Sequence, residues 1–129
     1  MVAMPPGTND RKTRLNTVNT GDLKIMPEYE CYSFWVANGG ILDNVDPASL
    51  EIPADLAAEI DAWEQAYEAT YVPDNPASSG FSDEESEKAF NSRGRDLATR
   101  TAEALGSGWL VQYYDTLAHE LVPVAPPAL

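Results

Sequence analysis

The sequence is poor in the residue types that most often carry chemistry. Its 129 residues include one cysteine, Cys31, and one histidine, His119. A single cysteine excludes an internal disulfide framework and fits a reducing, cytoplasmic compartment. Two such residues cannot by themselves build a transition-metal site. P-loop, Gly-x-Gly-x-x-Gly and Cys-x-x-Cys patterns are all absent, so there is no phosphate cradle and no dithiol. No run approaches the roughly 18 apolar residues of a membrane-spanning helix. Met1–Asn19 lacks the apolar stretch of a secretory signal. Basic residues are scarce too: 8 Lys and Arg stand against 21 Asp and Glu, a formal net charge of −13. A surface of that sign repels nucleic-acid backbones and anionic membranes, so neither is expected as a direct partner.

What is present is acid, unevenly placed. The first twenty residues carry Asp10 against Arg11, Lys12 and Arg14, whereas Asp43 to Glu87 holds 13 acidic residues and no Lys or Arg. Like charges this dense oppose compaction, and nothing nearby in sequence neutralises them. They serve either solubility and helix N-termini or a surface that meets a basic partner.

The length suits one domain. Residues 1–21, rich in Thr, Asn, Pro and Gly, are expected to be disordered or weakly attached. A single α+β domain is expected over 22–115, and an extended C-terminal tail over 116–129. Asp22–Met26 reads as a short strand interrupted by Pro27. Tyr29–Ala37, aromatic and β-branched, reads as a second, internal strand carrying Cys31. Asn38-Gly39-Gly40 is a turn, and Ile41–Leu50 reads as a loop. Leu56, Ile60, Trp63, Tyr67 and Tyr71 form one apolar stripe at helical spacing, predicting a helix from Pro53 to about Tyr71. Ser82 and Glu85 read as a capping box that opens a second helix running to about Leu105. Gly94 in that helix marks close packing. Trp109–Tyr114 reads as a third strand. The order β-β-α-α-β predicts a small three- to four-stranded sheet with two antiparallel helices packed on one face. Leu121–Val124 or the N-terminal segment is the candidate fourth strand.

Nucleophilic catalysis needs a nucleophile, a base and an orienting group. Cys31, read as mid-strand among aromatics, is expected to be a buried, inert thiol, and His119 to be solvated. Asp61, Glu64 and Glu68 share one sector of the first helix. They serve as a solvated face, as a partner contact, or as ligands for a hard cation in a small carboxylate-based metal-binding or enzymatic domain. Arg93, Arg95 and Arg100 on the second helix either bind an anion or, as the acid excess around them favours, pair with acids of the first helix. Tyr71 and Tyr114, at element ends, are aromatics with access to solvent. Exposed Tyr beside carboxylates is a frequent hot-spot composition.

The opening Leu-Lys-Ile-Met-Pro-Glu-Tyr-Glu-Cys-Tyr-Ser-Phe-Trp, the connector Asp-Asn-Pro-Ala-Ser-Ser-Gly-Phe, the acidic helix pair and the closing Trp-Leu-Val-Gln-Tyr-Tyr together resemble small acidic immunity proteins. Those proteins belong to bacterial polymorphic toxin and contact-dependent inhibition systems, and the resemblance spans roughly residues 22–114. It implies a non-enzymatic inhibitor, needing no cofactor, that binds a cognate protein toxin and occludes its active site or substrate surface. A basic toxin fits the charge. Asp55, Glu59, Asp61, Glu64, Glu68, Tyr71 and Asp74 are then the expected partner-binding residues, and no metal is expected. The alternative is a nucleic-acid mimic that inhibits a DNA- or RNA-binding protein, which requires acids over an extended face.

Overall fold

A computed structural model describes residues 20–124. The N-terminal segment expected to be disordered, up to residue 19, and the last five residues of the tail lie outside that range.

Seven main elements follow one another: strands β1 (Gly21–Ile25), β2 (Phe34–Asn38) and β3 (Ile41–Val45), helices α1 (Ala54–Glu68) and α2 (Glu84–Leu105), and strands β4 (Trp109–Asp115) and β5 (Glu120–Pro123). The class is α+β, as expected, but the sheet has five strands in the order β3-β2-β1-β4-β5. The expected order of three strands is thereby corrected to β-β-β-α-α-β-β. The sheet is mixed: β1 and β4 pair in parallel at its centre, and the other pairs are antiparallel.

The Asn38-Gly39-Gly40 turn is present, and it opens a hairpin, not a loop. Gly39 and Gly40 adopt φ of 59° and 94°, the left-handed pair that a two-residue hairpin turn demands. The chain beyond it therefore pairs back as β3, with Asn38 opposite Ile41 and Phe34 opposite Val45. The strand expected to start at Tyr29 starts at Phe34. Residues 28–33 form a loop after Pro27, which cannot donate to a ladder. At the other edge, Glu120–Pro123 pairs with Gln112–Asp115. The segment considered as a fourth strand thus supplies β5.

Alternation places Leu23, Ile25, Phe34, Val111 and Tyr113 on one face of the sheet, and all are buried. They form one core with Leu56, Ile60 and Trp63 of α1 and with Phe90, Leu97, Ala98 and Ala102 of α2. Both helices therefore cover the same face. They run antiparallel, since late α1 meets early α2 at Trp63 and Phe90 while early α1 meets late α2 at Glu59 and Arg100. Trp63 stacks on Phe90 with ring centroids 4.6 Å apart. Its indole N–H donates to the Phe90 carbonyl at 3.0 Å, which satisfies the one polar atom of a fully buried ring.

Gly94 fits where no side chain would. A Cβ there would lie 2.4 Å from the Tyr113 hydroxyl oxygen and 2.6 Å from Trp63 Cζ2. The close packing expected at this position is a contact of α2 with both the sheet and α1. The cap of α2 is Asp83, one residue later than expected, with its side chain accepting from the Ser86 N–H at 2.7 Å.

Candidate partner-binding face

At about 100° per residue, the acids of α1 fall on two flanks of its apolar stripe. Asp55 and Glu59 lie on one flank, and Asp61, Glu64 and Glu68 on the other. The structure gives these flanks different neighbours.

The first flank meets α2. Glu59 accepts two bonds from Arg100, at 2.9 and 2.7 Å. This fork holds the Glu59 carboxyl below its usual range. Arg100 thus pairs with the first helix as expected. Arg95 pairs instead with Asp115 of β4, at 2.7 Å. Arg93 is exposed and makes no ion pair among the described residues. Asp55 occupies the first turn of α1, where the helix dipole favours an acid.

The second flank meets the 28–33 loop. Glu64 Oε2 accepts both the N–H and the hydroxyl of buried Ser33, each at 2.6 Å. Glu68 accepts the Glu30 N–H at 2.7 Å. Glu30 itself has φ of 61°, a left-handed backbone uncommon for a residue with a side chain. Two carboxylates expected to face solvent or a partner thus hold a strained loop against the helix. Burial pushes the Glu64 carboxyl up, against the lowering pull of both Ser33 donors, and Asp61 and Asp46 raise it further. Asp61 stays exposed and, among the described residues, is bonded only by its helix neighbour Gln65, at 2.7 Å.

Loop and helix enclose a hollow of about 390 Å³ lined by Glu30, Cys31, Tyr32, Asp61, Glu64 and Gln65. Asp61 also borders a shallow groove of about 480 Å³ between α1 and the 46–52 segment, with Asp46, Ala48 and Ile52 on its far side. Tyr32 is 42% exposed at this junction. The neighbouring carboxylates, Asp46 first, push its phenol up. Asp46, Asp61 and Glu64 therefore share one local field around an exposed aromatic ring. Sequence spacing does not mark Asp46 or Tyr32 as contact residues: Asp46 stands in the acidic run outside any helical pattern, and Tyr32 reads as part of a strand.

Cys31 is exposed on the loop, which corrects the expectation of a buried thiol. Partial burial of its sulfur, then the carboxylates of Glu28, Glu64 and Glu68, raises its pKa. The thiol form dominates, and a thiol is a poor nucleophile. Tyr71 stacks on Tyr29 with centroids 4.7 Å apart. Asp74 is exposed in the connection after α1. Among the described residues no three His, Cys, Asp or Glu side chains converge as a metal-binding group. Glu64 and Glu68 direct oxygens at the loop, so the Asp61, Glu64 and Glu68 trio does not form a cation site. No helix among the described residues is long and apolar enough to cross a membrane.

No curated protein matches the chain. A protein-family model does match, over residues 21–116, a span that begins with β1, includes both helices and the acidic loop, and ends just past β4. The chain belongs to the Serratia CdiI immunity protein-like family.

Proposed function

We propose that this chain is a non-enzymatic inhibitor that neutralises a cognate, basic toxin domain in the cytoplasm. It does so by laying the acidic flank of α1 over the toxin's active site or substrate surface. Family membership supports the immunity role. The observation that supports the surface is the gathering of Asp46, Asp61 and Glu64 around exposed Tyr32. No basic residue occurs between Asp43 and Glu87 to neutralise that field. A carboxylate patch of this kind steers a basic partner and rejects acidic ones. An exposed tyrosine at its centre supplies buried contact area at low entropic cost.

The expected contact residues take different roles in this reading. Asp61, with Asp46, makes the field. Glu64 and Glu68 present the loop that carries Tyr32. Tyr71 and Asp74 lie at the rim, and Asp55 and Glu59 on the far flank of the helix. The test is co-production with a basic toxin domain, tried first from any toxin gene found adjacent to this one. Restored growth and a purified one-to-one complex with an inactive toxin are expected. Unprotected cells despite abundant folded protein would overturn the reading.

A further inference from the structure

A second cleft opens on the other side of the 28–33 loop, at the C-terminal ends of β1 and β4. It encloses about 360 Å³ and is lined chiefly by Tyr29, Tyr67, Phe81, Tyr114, Glu87 and His119. That volume lies at the lower end of ligand-site sizes, about 300–1,000 Å³. We propose that this cleft takes an arginine side chain of the bound toxin.

Three features carry the assignment. The walls are aromatic and preorganised. Tyr29 stacks on Tyr67 at 4.6 Å, its hydroxyl is bonded to Thr70 Oγ1 at 2.6 Å, and Tyr67 packs on Phe81 and Phe90. Rings held in this way lose little freedom when a ligand arrives. Glu87 is half-buried in the cleft, and its carboxylate has no ion pair among the described residues. The faces of Tyr29 and Tyr67 are taken by neighbouring rings, so the cation contact falls to Tyr114, beside this unpaired carboxylate. A guanidinium fits better than an ammonium, because it stacks flat on a ring while its fork reaches a carboxylate. Finally, Tyr114 lines the cleft half-buried and stacks on no other ring among the described residues, so it can receive a planar cation.

The owner of the guanidinium follows from continuity. Tyr29 walls this cleft, and the next three residues, Glu30, Cys31 and Tyr32, wall the acidic hollow. One loop thus joins both recesses into a single face. The identity of the partner rests on the toxin-neutralising reading; the chemistry of the cleft does not.

The experiment therefore has two arms. In the first, the full chain is titrated with Nα-acetyl-arginine amide and, separately, with its uncharged citrulline counterpart, and followed by NMR. Saturable shifts at Tyr29, Tyr67 and Tyr114 with the arginine probe only, lost in Glu87→Gln, are expected. Equal responses to both probes, or shifts confined to the Asp46 and Asp61 region, would overturn the proposal. In the second arm, Glu87→Gln and Tyr114→Leu are each expected to weaken toxin binding by about tenfold, through faster dissociation. Wild-type affinity in both variants would overturn the proposal and leave the immunity role intact. A chain that takes the arginine probe in the cleft yet binds no toxin would support the cleft's chemistry and overturn the toxin as its source.

Discussion

Glu64 grips Ser33 twice with one oxygen: Oε2 accepts the Ser33 N–H and the Ser33 hydroxyl, each at 2.6 Å. A carboxylate on α1 thereby determines the path of a loop 31 residues earlier in the chain. The loop in turn carries Tyr32 and walls both recesses. Truncation at this position therefore acts on folding and recognition together.

Glu64→Ala is expected to cost about 1–3 kcal/mol, because it leaves two buried Ser33 donors without an acceptor. Glu64→Gln retains an acceptor and is expected to cost less. Urea denaturation compares the two, and amide exchange at Ser33 reports the freed loop. Equal stability of Glu64→Ala and wild type would show that the grip does not matter.

The pH dependence of that comparison has a definite sign. The folded pKa of Glu64 is raised above its ordinary 4.5. Its contribution to stability is fully present below about pH 4.5 and is lost as pH rises through the folded value. Wild type should therefore gain on Glu64→Gln as pH falls into that window. Melting temperatures measured from pH 4 to 8 check this.

Asp115 has the opposite sign. Arg95 first, then the Ala118 and Leu117 N–H groups, hold its carboxyl down to about 2. Its contribution is present above the ordinary 3.8 and is lost as pH falls through about 2. Wild type should melt above Asp115→Asn at pH 7, and the gap should close by pH 2. A gap that does not vary with pH would remove Asp115 from the acid response.

Gly94→Ala is expected to destabilise by about 1–3 kcal/mol, the usual cost of overpacking a filled core. The added methyl meets the Tyr113 hydroxyl and the Trp63 ring, and neither can withdraw. Tyr113 Oη is also bonded to Asn91 Oδ1 at 2.8 Å. Thermal melting checks the loss, and an unchanged melting temperature would mean that the helix shifts freely at this position.

Electrostatic steering is best tested away from Glu64 and Glu68, since charge reversal there would also release the loop. Asp46→Asn with Asp61→Asn removes two exposed charges and leaves the Ser33 and Glu30 bonds that hold the loop, while the amide oxygen at position 46 can still accept from the Ala48 N–H and Tyr32. Toxin association should slow several-fold at low salt, and the difference should vanish at high salt. Unaltered association kinetics at low salt would take the acidic groove out of the encounter.

The parts legible in the sequence are those encoded by short-range pattern. The stripe of Leu56, Ile60, Trp63 and Tyr67 marks α1 because a helix repeats every 3.6 residues. Leu23 with Ile25, and Val111 with Tyr113, mark the inward face of β1 and β4 because a strand repeats every two. Gly94 stands out as an interruption within a helical pattern. β3 is not legible in the sequence, although its turn is. Ile41 and Leu42 stay exposed at the sheet edge, so they alternate around no buried side and read as loop. The parallel pairing of β1 with β4 had no local signal, since the two strands lie at opposite ends of the domain.

The same division holds for the candidate face. Sequence by itself determined the excess of acid, its concentration between Asp43 and Glu87, and its two flanks on α1, because charge and helical angle need only residue identity and spacing. Only the tertiary structure decided which carboxylates are occupied. Arg100 neutralises Glu59, Ser33 and Glu30 engage Glu64 and Glu68, and Asp46 and Asp61 stay exposed beside Tyr32 with local bonds from the Ala48 N–H and from Gln65. A carboxylate's role depends on the donors within hydrogen-bond reach, and here folding brings them from distant parts of the chain.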